Sequence, residues 1–326
     1  MTSFVKSKLM ANNSILQKLM GYSFHIEMVI RRIYWSKITQ FIRKRFTIND
    51  LGTKKSTIIN LENINNHLKK IGLKKGDILI VHSSFAPFEN SSISPFDIIN
   101  MLLDFVGKDG TLVMPVIRSH EKYKKNKKIK NDNLEEVEFE YNVKKSPVRT
   151  GIIPFYLMNK KNAITSLLPF NTLTALGKES EQMIKHELSE EFPTANGINS
   201  AWKYCTDKNA LVISLGIDLT HSLTILHTPE DVNNKNWPVK DWYRKRKFKI
   251  VHGDVIIKKV FRERRPKWGK FHFGERTLSR DLLENNVMNS ENIDGVIIES
   301  LRAKELFNYL NSKNNSGYPY FWLKLR

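Results

Sequence analysis

An α/β fold with a largely parallel sheet is the expectation for this chain, and the order of its apolar runs is the reason. Ile78–Val81 is a short apolar run, and Thr111–Pro115 is another. Between them Pro95–Phe105 has helical spacing, with Ile98, Ile99, Met101, Leu102, Leu103 and Phe105 on its buried side. Strand, helix and strand joined by short turns favour a crossover and parallel pairing. A third strand-like run, Ala210–Gly216, has the composition to join the same sheet.

The remaining elements follow in order. Residues 1–55 form a basic amphipathic region in which Lys18, Arg31, Arg32, Arg43, Lys44 and Arg45 alternate with apolar side chains such as Phe24, Ile30 and Trp35. Such a segment either packs on the main domain or lies on a partner or an anionic membrane surface. Leu61–Ile71 reads as a helix that stops at Gly72, before a turn at Lys74–Asp77. Arg118–Lys130 is a Lys-rich loop insertion. Alternation over Lys249–Phe261 predicts a hairpin turned at Gly253–Asp254, and Ile298–Leu310 reads as a helix. The expected organisation is an N-terminal region over 1–55, a catalytic core over 56–240, and a β-rich and helical C-terminal region over 241–326 packed on that core.

Composition narrows the function. A chain of 326 residues, 40% hydrophobic and 26% charged, is globular and long enough for a substantial core. The formal net charge of +20 suits an anionic partner, such as a polyphosphate coenzyme, a nucleotide-linked sugar, nucleic acid or a membrane face. It equally suits the Lys-, Asn- and Ile-rich usage of an AT-rich coding sequence. Cys205, the single cysteine, excludes an intramolecular disulfide and a cysteine zinc site. No metal is expected: the nine histidines lack zinc-ligand spacing apart from His221 and His227. No apolar run reaches the roughly 18–20 residues of a membrane span, and no signal-peptide core is evident. A cytoplasmic protein is expected, peripheral to the membrane if residues 1–50 bind lipid.

The segment Thr224–Glu230 carries the candidate chemistry. His227 and Glu230 stand three residues apart and share one side of a helical turn. An imidazole held by a carboxylate can take a proton from an amine near neutral pH. Upstream, His82-Ser83-Ser84 ends a strand where hydroxyls and backbone amides can cradle a pyrophosphate.

Collinear blocks give these residues a common context. They are Leu73–Asp77 with the following strand and His82-Ser83-Ser84, then Asp109–Pro115, Ser146–Pro154, Ser166–Thr172 with Ala175–Gly177, Asn199–Trp202, and Gly216 with Thr224–His227 and Glu230. Over roughly 60–235 the chain resembles the aminoglycoside 3-N-acetyltransferase family. The resemblance implies that family's α/β/α core, an acyl-coenzyme A co-substrate and acyl transfer to an amine. It implies His227 as general base with Glu230 as its partner. It further implies His82, Ser83, Ser84 and Thr172 at the coenzyme, with Arg149 and Thr224 as weaker substrate or structural contacts. Two departures stand out. Leu168 occupies a position where the family usually has His, and Pro87–Ser92 replaces a glycine-rich stretch after the serines.

Charge redirects the acceptor. Aminoglycosides are polycations and suit acidic sites, whereas this chain is strongly basic. The expected acceptor is a small-molecule amino sugar linked to a nucleotide or lipid pyrophosphate, acylated during surface polysaccharide synthesis. Three alternatives stand beside it: an aminoglycoside acceptor, an inactive scaffold of the same fold, and a nucleic-acid-binding protein resting on the basic-aromatic stretch at 240–270. No nucleic-acid-binding signature accompanies that stretch.

Overall fold

The computed structural model describes residues 15–34, 36, 58–120, 134–233, 235 and 237–321. Expectations for residues 1–14, for Arg43, Lys44 and Arg45, and for most of the Lys-rich insertion lie outside these. The large sheet has seven strands in the order β4-β5-β2-β1-β6-β10-β9. They are β1 (Ile78–Ser83), β2 (Thr111–Pro115), β4 (Ile164–Thr165), β5 (Leu173–Gly177), β6 (Leu211–Leu215), β9 (Met288–Ile293) and β10 (Val296–Arg302). A second sheet joins β3 (Glu138–Asn142), β7 (Tyr243–His252) and β8 (Val255–Arg264).

Parallel pairing is confined to the centre. β1 pairs parallel with β2 and with β6. β5 on β2, β4 on β5, β10 on β6 and β9 on β10 are antiparallel. The sheet is therefore mixed rather than largely parallel, since the flanking strands lack the periodic helix-strand sequence that exposes a crossover. Residues 241–326 supply β9 and β10 to the large sheet and all of β7 and β8 to the small one, so this segment is woven into the core. The expected hairpin at Gly253–Asp254 forms, as β7 and β8. The expected helix at Ile298–Leu310 divides instead: its first part is strand β10, and the helix runs Ala303–Asn311. The apolar run Val296–Ile298 with Ser300 and Leu301 fills an interior strand position, and tertiary pairing overrides the helical pattern.

Helices cover both faces of the large sheet. Alternate residues of each strand point to opposite sides. Leu79, Val81, Leu112, Met114, Leu211 and Ile213 pack with Ile98, Ile99 and Leu102 of helix Pro95–Val106. Ile80, Val113, Ala175 and Val212 pack on the other face with Trp202, Leu278 and Leu306. This is an α/β/α sandwich. Helix Pro95–Val106 starts where the sequence directs it: Ser94 accepts from Asp97 N at 3.2 Å, Asp97 accepts in return from Ser94 N at 2.8 Å, and Pro95 takes the first helical position. Helix Phe24–Tyr34 docks on the main body through Glu27. Its buried carboxylate accepts from Arg276 N and Thr277 N, at 2.8 and 2.9 Å, at the start of helix Glu275–Glu284. One face of this basic helix is thus spent on packing. Among the described residues no helix is long and apolar enough to cross a membrane.

Candidate active site

The carboxyl ends of the three parallel strands open onto one cleft of about 790 Å³. Ser83 and Ser84 reach it from β1, Pro115 and Ile117 from β2, and Ile217 from beyond β6. That is where an open α/β sheet ordinarily binds a ligand. His82, Arg149, Thr150 and Thr224 line the same space. His82 Nε2, Ser83 Oγ and Thr150 Oγ1 are buried without hydrogen-bond partners among the described residues. Polar atoms left so are rare in a finished interior, and here they border a cavity that can bring partners to them. Burial pushes the His82 imidazole down to about 3, so it stays neutral. Gly216 closes β6 at φ +74°, and a Cβ there would meet Pro87 Cγ at 2.6 Å. The glycine is what allows the chain to turn beside the cleft.

A second cleft, of about 440 Å³, contains His227 and Glu230. Ile117 lines both clefts. The 3₁₀ turn Thr224–His227 joins them, with Thr224 bordering the first and His227 the second. Residues three apart eclipse on such a turn.

Local sequence fixes this turn. Pro229 starts the short helix Thr228–Val232, and Thr228 Oγ1 donates to Ile225 O at 2.8 Å. Asn196 Nδ2 donates to Thr224 O at 3.0 Å, and its backbone N donates to Asp231 at 2.9 Å. Asn171, in the left-handed region at φ 47°, donates to Asn196 Oδ1 at 2.7 Å. Its carbonyl accepts from Trp202 Nε1, also at 2.7 Å. Three sequence blocks far apart in the chain thereby hold one turn.

His227 Nδ1 lies 3.0 Å from Glu230 Oε1, and the imidazole is 16% exposed. Arg264 from the end of β8 completes the group. Its Nη1 lies 2.9 Å from His227 Nδ1 and donates to Glu230 Oε1 at 3.3 Å. Arg264 also donates to the Tyr320 hydroxyl, which stands 3.3 Å from His227 Nδ1. Burial first, and the Arg264 guanidinium second, hold His227 well below its ordinary value. Its contact with Glu230 at neutral pH is therefore a hydrogen bond of a neutral imidazole and not an ion pair. Burial pushes the Glu230 carboxyl up to about 8, against the pull of Arg264 and the Tyr320 hydroxyl. Asp231 is likewise raised by burial and by Glu230 beside it, while accepting from Tyr243 Oη at 2.6 Å. When Glu230 carries charge, Nδ1–H donates to it and Nε2 is the basic nitrogen, 3.3 Å from Arg264 Nη1.

The structure gathers most of the expected residues into these two clefts. Ser83, Ser84, His82, Arg149 and Thr224 share one; His227 and Glu230 share the other. Thr172 is in neither. It is 0% exposed, and its hydroxyl donates to Leu168 O at 2.9 Å, which makes it a core residue of the loop before β5. Leu168 is itself buried in the hydrophobic cluster under the small sheet, so no imidazole is called for there. Arg264, Tyr320 and Asp231 were not readable as site residues, because the hairpin and the C-terminal segment reach the cleft only through tertiary packing. The one available signal was the basic-aromatic stretch at 240–270. Among the described residues no cluster of His, Cys, Asp or Glu could hold a metal.

The family described as aminoglycoside 3-N-acetyltransferase matches residues 80–313. The chain belongs to that family. No curated protein matches it. The crystal structure of aminoglycoside acetyltransferase AAC(3)-Xa is similar with a TM-score of 0.64 at 17% identity, over 80% of this chain and 94% of that one. AAC-IIIb in a binary complex with CoASH gives 0.62 at 17% identity, over 81% and 99%. The AAC(3)-IVa apoenzyme gives 0.60 at 18%, over 80% and 90%. Likeness at this identity carries the fold, which is the acetyltransferase α/β/α sandwich.

Proposed function

We propose that this chain is an N-acyltransferase that moves a short acyl group from acyl-coenzyme A to the amine of an anionic amino sugar. The observation that carries the reading is the meeting of two clefts at the turn Thr224–His227. The strand-end cleft supplies small hydroxyls, unpartnered buried polar atoms and Arg149, which suit the pyrophosphate and pantetheine of a coenzyme. AAC-IIIb, of the same fold, is known with CoASH. The His227 cleft takes the acceptor. Held from the strand-end cleft, the thioester offers an activated carbonyl carbon to the incoming nitrogen; the C–S bond breaks as the C–N bond is made, and coenzyme A leaves as a thiolate that in the end takes up the proton shed by the amine. His227 takes the proton that this nitrogen sheds as it adds, a role worth about two to four orders of magnitude in rate. Glu230 orients the ring.

The lining of the His227 cleft favours an anionic acceptor over a polycationic antibiotic. Arg118, Arg246, Arg262, Arg264 and Lys270 border it, against Glu230, Asp231 and Glu263. Cationic groups outnumber carboxyls along this lining, which leaves the space positive. A gentamicin and apramycin are bound by AAC(3)-IVa variants of this fold; here like charges would face each other. An amino sugar carried on a nucleotide or lipid pyrophosphate, as in surface polysaccharide synthesis, meets this potential. Thiol release from acetyl-coenzyme A, measured with nucleotide amino sugars and with kanamycin-type compounds, tests the reading. Turnover with the first group and not the second is expected. Efficient acetylation of the antibiotics alone would overturn the acceptor assignment, and no turnover with any amine would favour a scaffold.

A further inference from the structure

Positive charge at the His227 cleft exceeds the carboxylates that line it. Arg118 follows β2 and is 4% exposed. Its Nη2 donates to Val143 O, its Nη1 lies 3.0 Å from Met158 Sδ, and its Nε has no partner. Among the described residues no carboxylate pairs with it. Arg246, on β7, is 5% exposed, and its Nε is also without a partner. Its guanidinium lies 4.2 Å from the centre of the Phe139 ring. Its counter-charge is shared, because Glu263 Oε2 accepts from Arg246 at 2.7 Å and from Arg244 at 2.5 Å. His120 lies in the field of both arginines, and its buried Nδ1 has no partner either. All three residues line the cleft that holds His227.

A buried guanidinium is expensive unless it is paired and its donors are filled. A purely structural arginine at Arg118 would be expected to carry a carboxylate on its fork. What lies beside it instead is a carbonyl, a thioether, the Tyr141 hydroxyl and the cleft. Two planar forks with open Nε donors suit an oxyanion, which they can meet with charge-assisted hydrogen bonds.

We propose that Arg118 and Arg246 form a subsite for an oxyanionic group of the acceptor, a phosphoryl or a carboxylate, which positions the amine for His227. This rests on reading the His227 cleft as the acceptor side. The two sources of oxyanion are a sugar carried on phosphate and a sugar that bears its own carboxylate.

Calorimetric titration of the full-length protein with inorganic pyrophosphate, and separately with glucuronate, tests the subsite. Excess coenzyme A is present, after its own affinity has been measured. At least one oxyanion should bind the wild type, and the preferred one identifies the source. Arg118→Met and Arg246→Met should each weaken that binding by about ten- to a hundredfold, the worth of a lost charged hydrogen bond. Lys178→Met should leave it within about twofold, because that exposed lysine lines neither cleft. Arg118→Lys should restore part of the affinity. The melting temperature adds a readout that a structural role would not share. Removing an uncompensated buried charge leaves it unchanged or higher, whereas a structural arginine would lower it. If Arg118→Met does not fold, Arg118→Lys and Arg246→Met carry the test. Binding of neither oxyanion, or equal affinity in wild type and both arginine variants, overturns the subsite. Coenzyme A failing to bind would sink the acyltransferase reading and leave the subsite standing; coenzyme A binding with no arginine-dependent oxyanion site would do the reverse.

Discussion

The two clefts that meet at Thr224–His227 are built by opposite means. The strand-end cleft is assembled from residues that directly follow β1, β2 and β6, so its polar atoms come in short contiguous runs such as His82-Ser83-Ser84. The His227 cleft is assembled from the end of β2, the loop before β5, the turn after β6 and the β7–β8 hairpin. The first presents small hydroxyls and unpartnered donors; the second presents guanidinium groups. The difference teaches that a cleft built on strand ends is tied to the sheet, whereas one built on a hairpin and loops is free to change charge.

The largest expected effect separates the two clefts by chemistry. His227→Ala should lower kcat by about two to four orders of magnitude, with coenzyme affinity nearly unchanged. Thiol release and a coenzyme titration on the same preparation check both halves. Next, Ser83→Ala with Ser84→Ala should raise the KM for acyl-coenzyme A by roughly tenfold, the worth of one or two neutral hydrogen bonds, without moving the acceptor KM. A rise in acceptor KM alone would reverse the assignment of the clefts.

A pH profile sharpens the comparison further. Burial and Arg264 hold His227 below its ordinary value, so the free base is present through neutral pH. The acid limb of kcat/KM should therefore lie below pH 6.5, the model-peptide value for imidazole. Arg264→Met removes the second cause and leaves burial, so that limb should move upward. A limb that stays in place would show the guanidinium does not act on the ring. Stability has its own sign. Glu187 and Glu299 are each pushed up by burial to about 7 in the folded protein. A carboxyl that keeps its proton only when folded stabilises fully below its unfolded pKa and loses this as pH rises through the folded value. The melting temperature should fall between about pH 4.5 and 7 on this account. Glu187→Gln, still able to meet Ser166, should flatten part of that slope. The smallest expected effect is Gly216→Ala, which forces a side chain into positive φ against Pro87 and should destabilise by about 1 kcal/mol or more.

What the sequence revealed follows the same division. The central βαβ unit was legible because apolar runs, helical spacing and turn residues agree with one another. Ser83, Ser84 and His227 stood out because each sits in a contiguous motif, and the fold brings them to the two clefts. The antiparallel flanks were not, since β10 carries a pattern that suits a helix as well as a strand. Thr172 was misplaced because adjacency in a motif says nothing about which side chains face the cavity. Arg264, Tyr320, Arg118 and Arg246 were invisible as a group: they are distant in the chain and come together only when β7 and β8 pack beside the β2 end. Leu168 looked like a loss from a site, yet it fills a core position under the small sheet.

A structure of the protein soaked with coenzyme A tests the central claim most directly. The pyrophosphate is predicted at the ends of β1, β2 and β6, with the pantetheine arm running past Ile117 and Thr224 and the sulfur within reach of the His227 ring. A sulfur held elsewhere, with the imidazole of His227 facing no part of the ligand, would contradict it.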